Sequence, residues 1–229
     1  GLFSTLLKDF DKDRILDLGE DLGSKWRIGE FAIKPYPLCH FNHALIDCSL
    51  KIKRKHKFQL DEVTLITALM HPAEVPIVCE PLDSKRNPQT VYEAQFSAPY
   101  AVATALIKGR FGLNELEETC LRDNSIIELA RKVSYAEDPR SGFPKYFSGG
   151  IKLHLKNGQV LEEYQPIHQG APEYPLPKEK VMEKFFANAE TSLEVANSQL
   201  LVNSLMLLET LENLDGLANL VRGLSVRTT

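Results

Sequence analysis

At 229 residues the chain is long enough for one large domain or two small ones with a substantial core, which excludes a peptide or a mini-scaffold. Its 43% hydrophobic and 25% charged residues are near the globular average and exclude a disordered chain. With 27 Lys plus Arg against 31 Asp plus Glu, a net charge of -4, it offers no cationic field for nucleic acid or an anionic lipid surface.

In chain order, Leu2, Phe3, Leu6, Leu7, Phe10, Ile15 and Leu16 recur at helical spacing around the charged stretch Asp11-Lys12-Asp13, which predicts two short helices. Trp26 to Tyr36 reads as extended chain feeding a turn, because Pro35 and Pro37 exclude a helix interior. Phe41, Leu45, Cys48 and Ile52 then form a helical stripe with Ala44 on the same side. Its basic end, Lys51 to Lys57, suits the negative end of the helix dipole and reads as a solvated last turn.

Val63 to Leu69 is rich in β-branched residues and predicts a strand, after which Pro72, Pro76 and Pro81 confine the chain to loop or edge. Val91 to Arg110 carries small residues on one side and one interruption at Pro99, which predicts a helix pair or a kinked helix packed closely. Asp123 or Asn124 can cap a helix whose apolar face runs from Ile126 to Val133. Ile151–Leu155 and Val160–Tyr164 flank Asn157-Gly158, the sequence of a tight hairpin turn. Pro177 suits the first turn of a further helix, and Leu200, Leu201, Leu205, Leu208, Leu211 and Leu214 then present a broad apolar face that needs a covering surface. That tail could close onto the first helices or belong to a helical layer outside this chain. The class is α+β, with a helical segment at 1–25, an α+β block at 26–175 and C-terminal helices at 176–229.

No apolar run reaches the roughly 20 residues that cross a bilayer, so a soluble protein is expected. Cys39, Cys48, Cys79 and Cys120 are scattered, as in a reducing compartment, so cytoplasm or an organelle matrix is expected. Gly1 opens the chain without a basic or apolar leader, and that start reads as a cut or processed end.

The glycines fit neither a dinucleotide fingerprint nor a phosphate loop, and no serine lies in a nucleophile elbow. His40 and His43, with Cys39 beside them, could begin a metal site, but His56, His71, His154 and His168 show no matching spacing, and no metal or organic cofactor is expected. The same cluster opens a helix, where N–H groups and positive potential gather, and Lys34 adds a full charge. The segment is an anion site in outline, with Lys34 and His40 as candidate binders. The plainer alternative is a solvated Lys34, an exposed His40 and a half-buried His43 bonded to backbone. Tyr100, after Pro99, could point its hydroxyl into a cleft or simply pack with it satisfied.

The run Lys34-Pro35-Tyr36-Pro37-Leu38-Cys39 through His43 to Ile46-Asp47 resembles the K-P-Y-P-x-C-x-x-x-H-x-x-I-D segment of the MmgE/PrpD family. Ala94-Gln95-Phe96-Ser97-Ala98-Pro99-Tyr100 resembles its A-Q-F-S-x-P-Y helix start. Leu155 to Gly158, with Gly170-Ala171-Pro172 and Pro175-Leu176-Pro177, resembles its hairpin and the boundary after it.

The resemblance implies relatives of 2-methylcitrate dehydratase, cis-aconitate decarboxylase and iminodisuccinate epimerase, which act on small di- or tricarboxylates without a cofactor. It implies that this chain matches the later half of such a protein, with the site between it and a helical domain supplied in cis or in trans. It also implies a homodimer in the cytoplasm, or in the mitochondrial matrix of a eukaryote. Lys34 matches the motif lysine as a carboxylate binder, and His43 and Tyr100 match groups able to line the cleft as catalytic residues. The expected function is part of a cofactor-independent lyase or isomerase. The alternative is a non-catalytic subunit or degenerate paralogue that binds a separate helical protein.

Overall fold

The computed structural model describes residues 1–223, the side chains at 16 and 18 excepted, so 224–229 of the expected C-terminal helical block lie outside the described residues. The chain divides into two compact units between Ala32 and Ile33. In the first, helices α1 (Leu2–Leu6) and α2 (Lys12–Leu16) form where the apolar spacing places them, α2 capped by the Asp11 carboxylate. The expected extended stretch from Trp26 is instead interrupted by a 3₁₀ turn, Arg27–Glu30, across which Arg27 pairs with Glu30.

The second unit is α+β. Its elements are α3 (His43–Lys55), β1 (Val63–Met70), the short helices α4 (Val75–Val78), α5 (Leu82–Arg86) and α6 (Val91–Gln95), α7 (Ala98–Lys108), α8 (Glu118–Leu121) and α9 (Asn124–Arg131). They are followed by β2 (Val133–Glu137), β3 (Gly149–Leu155), β4 (Val160–Gln165), α10 (Lys178–Ala189), α11 (Val195–Met206) and α12 (Asp215–Gly223).

Among the described residues the sheet runs β2-β1-β3-β4. β1 and β2 are parallel, with Ile66 opposite Val133, and the helices between them make the long crossover that a parallel pair requires. β1–β3 and β3–β4 are antiparallel, and the second pair is the hairpin turning at Asn157-Gly158, with Gly158 at φ +86°. One sheet face, with Ile66, Ala68, Met70, Ile151, Leu153 and Leu161, is buried in the core with the inner sides of α3 and α7. α7 is buried from Ala98 to Leu106, and its alanines let it lie close to α3 and α9.

Three expectations change. β2 reads in the sequence as the end of the preceding helix, but Val133 leaves that helix to pair with β1, and the Arg86 guanidinium donates to the Val133 carbonyl. Tertiary pairing outweighs the local helical period there. The proline-rich stretch holds α4 and α5 as well as loop, because Pro76 sits in a first turn where its missing N–H costs no bond. The basic end of α3 is not merely solvated: Lys53 Nζ donates to the Leu106 and Ile107 carbonyls at 2.6 and 2.7 Å, satisfying the last turn of α7, and Lys55 pairs with Glu163.

Candidate functional site

The turn Lys34–Cys39 follows the unit boundary and is held from several sides. The Ile33 N–H donates to the Gly170 carbonyl at 2.9 Å, and the Cys39 N–H to the Gln95 carbonyl at 2.9 Å. The Gln95 side-chain amide donates back to the Pro37 carbonyl at 3.0 Å, and Lys184 Nζ on α10 donates to the Lys34 carbonyl at 2.7 Å. Two prolines stiffen the turn, so few conformations compete with the one these bonds select.

The turn forms one wall of a cavity of about 1090 Å³. α3 contributes Asp47, Lys51 and Arg54, the loop after α7 contributes Gly109 to Glu115, and α10 contributes Lys180, Glu183 and Lys184. Arg110 is paired with Glu115 at 2.9 Å and Lys180 with Glu183 at 2.6 Å. Lys34, Lys51, Arg54 and Lys184 also line the cavity, and among the described residues none of them has an ion-paired carboxylate. Set against Asp47 and Glu190, which line the same recess, these four cations leave it an excess of positive charge, which favours an anionic occupant.

The carboxylate next to Lys51 and Arg54 is Asp47, 8% exposed. Its Oδ1 accepts the Tyr36 hydroxyl at 2.7 Å, and its Oδ2 is buried without a partner. Burial raises its pKa above the usual carboxylate value, while Tyr36, Lys51 and Arg54 pull it down. Tyr36 itself is pushed up by burial and by Asp47, so it keeps its proton. The Cys39 thiol is raised chiefly by burial and is no activated nucleophile.

The structure separates the residues that the sequence singles out. Lys34 lines the cavity, its ammonium donating to the Leu38 carbonyl at 3.1 Å. His40 opens a 3₁₀ turn beside it and is half-buried, and His43, the first residue of α3, is fully buried, its Nε2 3.4 Å from the same Leu38 carbonyl. Neither ring lines the cavity. Tyr100 is fully buried near the start of α7, and its hydroxyl donates to the Glu115 carbonyl at 2.6 Å. Because Glu115 in turn holds Arg110 and the Gly112 N–H, Tyr100 fixes the cavity's loop wall from behind. Tyr100→Phe is expected to cost about 1 kcal/mol of stability by leaving that carbonyl unpaired. Equilibrium unfolding in urea checks it, and an unchanged midpoint would show that the bond does not support the wall.

Asp47, Gln95 and Gly170 lie within the sequence motifs but carry no local mark of a role of their own. Their partners lie far along the chain, so no short-range spacing points to them. His168, whose spacing matches no metal motif, packs its ring 4.5 Å from that of His40. Among the described residues, no three His, Cys, Asp or Glu side chains converge in a way that could hold a metal ion, and no helix is long and apolar enough to cross a membrane.

Comparison with known proteins covers the same region. Residues 36–207 match the model of the MmgE/PrpD C-terminal domain. The chain is similar to a cis-aconitate decarboxylase-like protein of Aspergillus oryzae, 21% identical over 206 residues, covering 88% of this chain and 42% of that protein. It is also similar to the cis-aconitate decarboxylases of Mus musculus, 26% identical over 86% of this chain and 41% of the relative, and of Homo sapiens, 25% identical over 85% and 40%. The chain thus spans about two-fifths of the length of these relatives.

Proposed function

The chain belongs to the MmgE/PrpD family, and from that premise we propose that it is the α+β part of a lyase or isomerase acting on a small di- or tricarboxylate such as cis-aconitate or 2-methylcitrate. The observation that carries the reading is the cavity walled by Lys34, Lys51, Arg54 and Lys184 without carboxylate partners. Lys34 binds one carboxylate of the substrate, and Lys51, Arg54 and Lys184 attract the others. His40 and His43 stand behind the turn that carries Lys34, and Tyr100 stands behind the opposite wall, so their part in this reading is to hold the walls. Removal of a proton or of CO₂ next to a bound carboxylate leaves charge that the cations stabilise, which is the chemistry such a recess supplies.

A helical complement, in cis or in trans, completes the site. Two features support this: the chain's share of its relatives' length, and apolar side chains left uncovered on both units. Trp26 is 78% exposed in the first, and Leu200 and Leu214 are 53% and 58% exposed in the second. The test is an assay of the full-length protein for CO₂ release from cis-aconitate and for dehydration of 2-methylcitrate. Turnover of either acid, competed by other polycarboxylates, is the expected result. Absence of both turnover and binding would overturn the reading, and capture of a separate helical protein without turnover would favour the non-catalytic subunit.

A further inference from the structure

Behind the Lys34 turn lie three histidine rings outside the cavity. The ring of His40 is 4.5 Å from that of His43 and 4.5 Å from that of His168, and the Phe147 ring lies 5.1 Å from both His40 and His168, stacked on the latter. The hydrogen-bond partners fix two tautomers. The Leu38 carbonyl can only accept, so His43 carries its proton on Nε2 and leaves Nδ1 bare. The Phe147 N–H can only donate, so His168 accepts on Nδ1 and carries its proton on Nε2. Those other atoms, His43 Nδ1 and His168 Nε2, are buried without partners, as is Nε2 of the intervening His40. Asn42, in the same turn, also buries both amide atoms unpartnered.

The cluster reaches the site through one atom. The Leu38 carbonyl accepts from both the Lys34 ammonium and His43 Nε2. We infer that His40, His43 and His168 act as one acid-sensitive positioning cluster, which holds the Lys34 turn closed while its rings are neutral and releases it when they take up protons. The consequence for substrate binding rests on the reading of Lys34 proposed above; the opening itself does not.

The surrounding charges bear on its direction. Lys34 on the turn opposes a second positive charge, and within the cluster each ring opposes protonation of the next. Burial is the first cause of the low pKa of all three, bringing His40 to about 4, and Glu173 beyond His168 opposes it only in part. The closed form therefore binds fewer protons than the open form, and its stability is present above the ordinary histidine range and lost as pH falls from about 6.5 towards 4. The nearby carboxyls act the other way. Glu74, pushed up to about 7 by burial, and Asp47, raised by burial against the pull of Tyr36, both favour the closed form on acidification. Opening in acid thus has to come from the histidines.

The test is hydrogen–deuterium exchange of the full-length protein between pH 7.5 and 5.0, corrected for the intrinsic rate. Exchange of the segment 33–43 is expected to rise at least ten-fold on acidification, and His168→Asn, which keeps an acceptor for the Phe147 N–H, should move the midpoint down by half a pH unit or more. A rate independent of pH, or a midpoint unmoved in His168→Asn, overturns the inference. If His168→Asn does not fold, ¹⁵N histidine spectra of the wild-type protein decide instead. Rings still neutral at pH 5.5 support the cluster, and titration of His43 or His168 near 6.5 overturns it. Acid opening in a protein that turns over no polycarboxylate would sink the functional reading alone, and turnover without acid opening would sink this inference alone.

Discussion

Gly170→Ala is expected to lower stability by about 3 kcal/mol and to detach the segment that carries Lys34. Gly170 has φ +93°, where an L side chain costs about 1–2 kcal/mol. A Cβ there would fall 1.9 Å from the Ile33 carbonyl oxygen, a backbone atom that cannot rotate aside. The two chain segments must separate, and the bond from the Ile33 N–H to the Gly170 carbonyl is lost, worth about 1 kcal/mol more. Gly158→Ala is the control. Its φ is +86°, but an added Cβ would meet nothing within 4 Å, so only the conformational cost of about 1–2 kcal/mol remains. Denaturant unfolding of the two variants in the full-length protein separates the contributions. A loss in Gly170→Ala no larger than in Gly158→Ala would show that this contact does not hold the turn.

Lys34→Met is expected to have the opposite profile, a large loss of function with little loss of stability. The ammonium donates a hydrogen bond to the Leu38 carbonyl, and the methionine keeps the apolar stem, so stability should fall by less than about 1 kcal/mol. A carboxylate that loses a charged partner in a partly desolvated recess loses about 2–4 kcal/mol, roughly 30- to 1000-fold in kcat/KM. If the contact is made equally in ground and transition states the loss lies in KM, and if the charge develops next to Lys34 it lies in kcat. Steady-state kinetics with cis-aconitate as substrate check it. Unchanged kinetics would remove Lys34 from the site and leave Lys51, Arg54 and Lys184 to account for any carboxylate binding.

Local chemistry explains what is legible in the sequence. The β-branched run in Val63 to Leu69, the Asn157-Gly158 turn and the cap at Asp123 each rest on neighbouring residues, and each element forms where those residues place it. The motif around Lys34 is legible for the same reason, since two prolines, a helix start and a charge lie within one short segment. His43 and Tyr100 belong to motifs as well, yet a motif does not say which way a side chain faces. The fold turns both inward, because each has a backbone carbonyl waiting in the core, Leu38 for one and Glu115 for the other.

The sequence by itself determined the α+β class and most helices and strands of the second unit, because propensity and capping act over a few residues. Only the tertiary structure decided that β2 pairs with β1, that His168 meets His40, and that Gly170 must lack a side chain where Ile33 crosses it. Each of these is a contact between residues far apart in the chain, set by how buried faces pack and which backbone groups are left to pair, and no short-range pattern encodes it.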